Sequence, residues 1–226
     1  GIELFEPHVL IDQGIPFDGL TPHERPLGGA ESAFVALSEA IAALGHQVEA
    51  RAVDARTITQ NGVHWAPLVS DWPRRVDLYI ASRTPPLLSA PVRAKQVVFW
   101  LHNPAQFLSK PRYAWPIFLK RPKIAFLGPS HAGTAPRWTP DGGRHIIPYG
   151  IERPFLDTPR MDGVPPPRAL FTSNPLRSLD RLIALWRAHI RPRVPNAELH
   201  VFSGPQTYGG GGAKADRVAA AMRLIL

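Results

Sequence analysis

Leu27-Gly28-Gly29-Ala30-Glu31, running straight into an amphipathic pattern from Ala30 to Leu44, sets the terms on which the rest of the chain is read. Two residues without a Cβ let the backbone approach a ligand closely, and the free N–H groups of a following helix point back at the loop with partial positive charge. Phosphate suits such a loop. A plain tight turn would need the same glycines, so Gly28 and Gly29 alone do not decide between the two. The helix behind them is better marked. Phe34, Leu37, Ile41 and Leu44 predict its apolar stripe, Glu31 stands in its first turn, and Gly45 is placed for a left-handed cap.

Working outward, short β-branched or aromatic runs alternate with helical patterns. Strands are expected over His8 to Asp12, Gln47 to Val53, Val76 to Ala81, Gln96 to Leu101, Lys123 to Leu127 and Arg144 to Ile147, then Ala169 to Thr172 and Glu198 to Phe202. That alternation is the signature of an α/β protein with a parallel sheet and crossover helices.

The stretch after Arg153 is too rich in proline and glycine for a helix or strand interior, and it divides the chain. Residues 1–153 form the expected N-terminal domain, 154–167 a Pro-rich linker, and 168–226 the start of a second domain. The last contains one expected βαβ unit: a strand, the turn Ser173-Asn174-Pro175, a helix from Leu179 to about Ile190, and a second strand. Leu179, Leu182, Ile183, Trp186 and Ile190 are its stripe. Gly209 to Gly212 read as a flexible loop, because no Lys-Ser or Lys-Thr pair follows as in a phosphate-binding P-loop, and a final helix is expected near Asp216.

Composition bounds the function. At 226 residues, against ~150 per domain, the chain has material for two domains and for a sizeable core, with 44% hydrophobic residues. No run approaches the ~18 apolar residues of a membrane span, and the beginning lacks the basic and apolar segments of a secretory signal. A cytoplasmic protein is expected. The absence of cysteine excludes disulfides, thiolate metal sites and cysteine nucleophiles. A net charge of +8 favours anionic partners. Its carriers (Arg51, Arg56, Arg74, Arg75, Arg112, Lys120, Arg121, Arg191, Arg193) are scattered as on a solvated surface, without a nucleic-acid motif, so nucleic acid is not an expected partner. Arg74-Arg75 and Lys120-Arg121-Pro122-Lys123 are the segments suited to peripheral contact with an anionic inner membrane face.

Ligands of open α/β sheets collect at the carboxyl ends of the strands. In Trp100-Leu101-His102-Asn103-Pro104, His102 emerges from a buried strand, where it can donate to a sugar hydroxyl or be satisfied within its own turn. Gly128-Pro129-Ser130-His131 and Pro148-Tyr149-Gly150-Ile151-Glu152 are further such loops, with Gly150 free to take positive φ. In the second domain Ser173, Asn174 and Arg177 line the first strand-to-helix loop. Arg177 there could grip a diphosphate or lie solvated at the helix start.

The order of these loops resembles the retaining glycosyltransferases of the GT-B fold, in particular the large family 4 that acts on lipids and polysaccharides. Leu27 to Glu31 and Leu44-Gly45-His46-Gln47-Val48 look like its glycine loop and Gly-His-x-Val return strand. His102 resembles its histidine after an inner strand. Pro129-Ser130 and Ile147-Pro148-Tyr149-Gly150-Ile151 are similar to its serine turn and Ile-Pro-Asn-Gly-Val hinge segment. Thr172 to Asp180 resembles its Arg/Lys-Gly-x-Asp region, and Val194-Pro195-Asn196-Ala197-Glu198-Leu199 its Val-Pro-Asp-Ala-x-Leu.

The resemblance implies a GT-B architecture: a Rossmann-like parallel-sheet domain on the acceptor side plus an incomplete second Rossmann-like domain for the nucleotide sugar. It implies transfer from a nucleotide-diphosphate sugar, with retention at the anomeric carbon, to a glycan, lipid or small-molecule acceptor. His102 would be the catalytic residue near the sugar. Gly28, Gly29, Asn103, Ser130, Gly150, Ser173, Asn174 and Arg177 would bind substrate, with Arg177 and Asn174 neutralising the leaving diphosphate. No cofactor is implied, and the lack of any Asp-x-Asp agrees with a metal-independent diphosphate site.

Departures exist. Asn174 stands where the family often has arginine, Arg177-Ser178 replaces its lysine-glycine, and its later Glu-x7-Glu segment is missing, which predicts a fragment of a longer enzyme. A dinucleotide oxidoreductase is not expected, because Gly28-Gly29-Ala30-Glu31 lacks the Gly-x-Gly-x-x-Gly spacing. A non-catalytic basic module that binds polyanions or acceptor is the other class the sequence leaves open.

Overall fold

A strand covered on both faces is an unbroken apolar run, and Val9, Leu10 and Ile11 are fully buried in β1 (His8–Ile11). The computed structural model describes residues 7–69, 71–151, 153–159, 162–203, 216, 218–220 and 223. The chain divides into two units, Gly1–Glu24 with Gly29–Gly150, and Arg25–Gly28 with Ile151–Leu226.

In the first unit β1 is followed by α1 (Thr21–Glu24), α2 (Gly29–Ala43), β2 (Val48–Ala52), β3 (Ile58–Gln60), β4 (Val63–Pro67), β5 (Arg75–Ser82), β6 (Arg93–Trp100), α3 (Pro111–Lys120), β7 (Lys123–Phe126), α4 (Pro129–Ala132) and β8 (Arg144–Ile146). The strands make one eight-stranded sheet in the order β3-β4-β2-β1-β5-β6-β7-β8. Every neighbouring pair is parallel except β3 and β4. The unit is therefore a Rossmann-like α/β sheet. From β1 the chain first builds outward through β2 and β4, then returns to the other side of β1 with β5, so strand order reverses between β1 and β5.

Alternation of side chains gives the sheet two covered faces. Val9 and Ile11 join one core with Leu87, Leu88, Phe99, Leu108, Ile117 and Phe126, roofed by α3 and by 3-10 turns at Pro85–Ser89 and Ala105–Ser109. Phe17, Phe34 and Trp65 form a separate aromatic cluster in which α2 takes part, with ring centroids 5.5–6.1 Å apart.

Each strand expected from sequence is present, with ends moved by a few residues. The stripe of α2 is not as expected. Its buried face is Glu31, Phe34, Val35 and Ser38, whereas Leu44 is 79% exposed. Gly45 does take the cap, with φ +91°, its N–H donating to the Ala42 carbonyl at 2.9 Å. The β3-β4 hairpin was not expected. Asn61 (φ 48°) and Gly62 (φ 79°) are both left-handed, as a two-residue turn matched to strand twist requires. α3 was also missed, because Pro116 lies inside it and removes one helical hydrogen bond.

Two of the arginines expected on a solvated surface are held in ion pairs, Arg51 buried and Arg56 at the surface. Arg51 is 3% exposed, ion-paired with Glu49, bonded to the Pro67 and Asp71 carbonyls and set 5.1 Å over the Trp72 ring. Arg56 forks to Asp18 and Glu24. Burial alone would raise the Asp18 carboxyl, but the Arg56 hydrogen bonds prevail and bring it to about 2.

The second unit holds α5 (Arg153–Asp157), β9 (Arg168–Phe171), α6 (Leu179–Leu185), a π-turn at Trp186–Ile190 and β10 (Glu198–Val201). β9 and β10 pair in parallel, so the expected βαβ unit is present, with Leu179 and Ile183 buried. The first residues of the expected linker are helical in α5, with Pro154 in the first turn, where a missing N–H costs nothing. Gly209 to Gly212 lie outside the described residues. Asp216 and residues 218–220 are helical. No helix among the described residues is long and apolar enough to cross a membrane.

Candidate functional site

The reversal between β1 and β5 opens the crevice where ligands of such sheets sit, and both strands end there in charge. Asp12, fully buried, follows β1, and Arg83 follows β5 in a left-handed conformation of φ 55°. The Arg83 Nε donates to Asp12 Oδ2 at 2.7 Å and its Nη1 to Glu31 Oε1 at 2.9 Å. Glu31 is 4% exposed in the first turn of α2, where the helix dipole favours a carboxylate. Burial would lower the Arg83 pKa, yet the two carboxylates outweigh it and hold the guanidinium charged.

Gly14 completes the arrangement. Its N–H donates to Asp12 Oδ1 at 2.7 Å, and a Cβ there would stand 2.8–2.9 Å from Arg83 Cζ, Nη1 and Nη2. The turn lies directly on the guanidinium. Among the described residues Arg83 Nη2 is buried with no hydrogen-bond partner, so a rigid fork with two satisfied arms keeps a spare donor. The three side chains sum to one negative charge.

His102 stands beyond the end of the neighbouring strand β6. Its Nε2 is 3.1 Å from Ser82 Oγ and its Nδ1 is 2.5 Å from the Tyr149 hydroxyl. Trp100 lies against the imidazole with centroids 4.5 Å apart, and Tyr149 stacks near-parallel at 5.8 Å. Burial, helped by the Arg83 charge, brings His102 down to about 4, so the ring is neutral near pH 7. Burial likewise pushes the Tyr149 phenol up. A neutral imidazole between two neutral hydroxyls can exchange either partner for a hydroxyl of a ligand without moving a net charge.

This burial has a consequence for stability. In the unfolded chain a histidine titrates at 6.5, whereas His102 in the fold titrates at about 4. Between these values the unfolded chain binds the extra proton. The contribution is whole above pH 6.5 and is lost as pH falls toward 4, amounting to about 3 kcal/mol. Denaturant midpoints measured from pH 7 to pH 4 should fall accordingly, and His102→Gln should flatten the curve over that interval.

The other expected site residues are distributed as follows. Gly29 opens α2 with open space where a Cβ would be, and Gly28 before it is buried. Asn103 meets His131 through its backbone: the His131 Nδ1 accepts from the Leu127 N–H, so Nε2 carries the proton and donates to the Asn103 carbonyl at 2.7 Å. That histidine is a clamp. Ser130 is exposed in α4. Gly150 is not among the positive-φ glycines, contrary to expectation; its neighbour Tyr149 is the residue that reaches His102.

In the second unit the Asn174 Oδ1 accepts from the Leu176 N–H at 2.8 Å and its carbonyl from the Arg177 N–H at 2.9 Å. Asn174 thereby builds its own turn. The Ser173 carbonyl accepts from the Ser203 hydroxyl at 2.6 Å, and Arg177 is exposed at the helix start.

Asp12, Gly14, Ser82, Arg83 and Tyr149 were not singled out from sequence, and Glu31 only as a first-turn charge. Their signal lies in the sheet order, which makes the loops after β1 and β5 neighbours. Among the described residues no group of three or more histidine, aspartate or glutamate side chains is arranged to hold a metal ion. Comparison with protein-family models and with curated proteins gives no match.

Proposed function

We propose that the chain belongs to a glycosyltransferase of GT-B type that moves a sugar from a nucleotide-diphosphate sugar to a glycan, lipid or small-molecule hydroxyl with retention at the anomeric carbon. The observation that carries this reading is His102, neutral between Ser82 and Tyr149 at the carboxyl edge of a parallel sheet. A polyhydroxyl ring suits that setting. It offers donors and acceptors that substitute for the Ser82 and Tyr149 hydroxyls, and the Trp100 and Tyr149 rings give it an apolar wall.

In the proposed reaction the bond from the anomeric carbon to the diphosphate oxygen breaks, and a bond to the acceptor oxygen forms on the same face. The acceptor hydroxyl proton leaves with the diphosphate. Positive charge gathers on the sugar meanwhile, and the net negative set of Asp12, Glu31 and Arg83 near His102 opposes it favourably. In the second unit Arg177 supports the reading as a solvent-facing cation able to take the diphosphate.

Calorimetric titration with UDP, GDP and their sugar conjugates at two salt concentrations tests the proposal. Saturable binding that prefers one base is expected, weakened by about 1.5–3 kcal/mol in Arg177→Ala. Equal binding of all polyanions that fades alike with salt would overturn it in favour of a basic binding module.

A further inference from the structure

α3 turns an apolar face outward. A surface helix ordinarily buries its apolar stripe and shows water a polar one. Here Ile117 is fully buried against the core, while Trp115, Phe118 and Leu119 on the opposite side are 62%, 58% and 61% exposed. The Trp115 and Phe118 rings stack with centroids 6.0 Å apart. Spacing of three and four residues makes the trio one contiguous patch.

The charged side chains of α3 and its flanking residues are all basic. Exposed Lys110 and Arg112 stand at the start of the helix and exposed Lys120 and Arg121 at its end. No aspartate or glutamate occurs between Asp77 and Asp141. Asp141 itself is ion-paired with Arg144 at 2.8 Å. A third aromatic, Trp138, is 59% exposed, on the loop that returns to the helix end through the Gly142 N–H bond to the Pro122 carbonyl at 2.9 Å. α3 ends where β7 begins, at the amino edge of the parallel sheet, and His102 stands at the carboxyl edge.

We infer that α3 is a membrane-surface element that seats Trp115, Phe118 and Leu119 at the headgroup boundary of an anionic bilayer, with Lys110, Arg112, Lys120 and Arg121 on the lipid phosphates. Aromatic side chains favour that depth, and basic residues at the two ends of a short helix fit a plane of negative charge. Charge complementarity selects lipid over a second protein. The patch is three side chains on a helix of 10 residues, well short of the ~800 Å² per partner of a stable protein interface. The inference rests on α3 and its flanks and does not depend on the reaction proposed above.

Flotation of the chain with vesicles of phosphatidylcholine alone, and of phosphatidylcholine mixed with phosphatidylglycerol, tests it. Binding to the anionic vesicles only, weakened by salt, is expected. Trp115→Ser/Phe118→Ser/Leu119→Ser should lower vesicle affinity roughly tenfold or more, and Lys110→Gln and Lys120→Gln about fivefold each. The serine variant loses mostly exposed apolar surface, and unchanged circular dichroism and thermal midpoint would show that it is folded. Wild-type affinity in the folded serine variant, or no binding of the original chain to anionic vesicles, overturns the inference. So does a dimer in solution that the serine substitutions dissolve, which would assign the patch to a second copy.

Discussion

Arg83→Ala is expected to destabilise the first unit by about 3–5 kcal/mol, because it strands two buried carboxylates at once. Asp12 is fully buried and Glu31 nearly so, each held by one arm of the guanidinium, whose own side chain is 17% exposed. Without the cation both carboxylates must take up a proton or stay charged in a dry site. Arg83→Lys should recover little, since an ammonium is a point charge that cannot fork to two partners. Adding Glu31→Gln to Arg83→Ala should restore part of the loss. Urea denaturation of the three variants measures this, and a loss under about 1 kcal/mol for Arg83→Ala would mean that the ion pairs do not bear on the fold.

His102→Ala is expected to lower turnover of the sugar nucleotide roughly 10²–10³-fold, the usual effect of removing one preorganised hydrogen-bonding group at the reacting centre. Nucleotide affinity should stay near its original value, because the diphosphate is proposed to rest on Arg177 rather than on His102. Tyr149→Phe removes the 2.5 Å partner of the imidazole and leaves the ring in place, so its loss should be smaller. Steady-state kinetics beside nucleotide titration separate the two effects. Equal turnover in His102→Ala would return the residue to a local role between Ser82 and Tyr149.

The sheet was legible because apolar runs such as Val9-Leu10-Ile11 admit few other fates, and His102 because it leaves such a run directly. The β3-β4 hairpin carries its own signal in Asn61-Gly62, flanked by Ile58-Thr59-Gln60 and Val63-His64-Trp65. Arg83 was hidden for a deeper reason. Asp12 and Arg83 are 71 residues apart and become neighbours only because β5 returns to pair with β1. Periodicity shows which residues form strands and is silent about which strands lie side by side. Tyr149 was hidden likewise, since its partner lies 47 residues away. Solvation does not follow from residue type alone: Arg51 is charged and buried, and Leu44, Trp115 and Phe118 are apolar and exposed.

Whether a sugar binds at His102, as proposed, can be read by nuclear magnetic resonance of the chain with labelled histidine while UDP- and GDP-sugars are added. The favoured sugar nucleotide is expected to displace the His102 ring signals saturably, through exchange of its Ser82 or Tyr149 partner, while those of the clamped His131 stay in place. Saturable binding that leaves the His102 signals unmoved would contradict it.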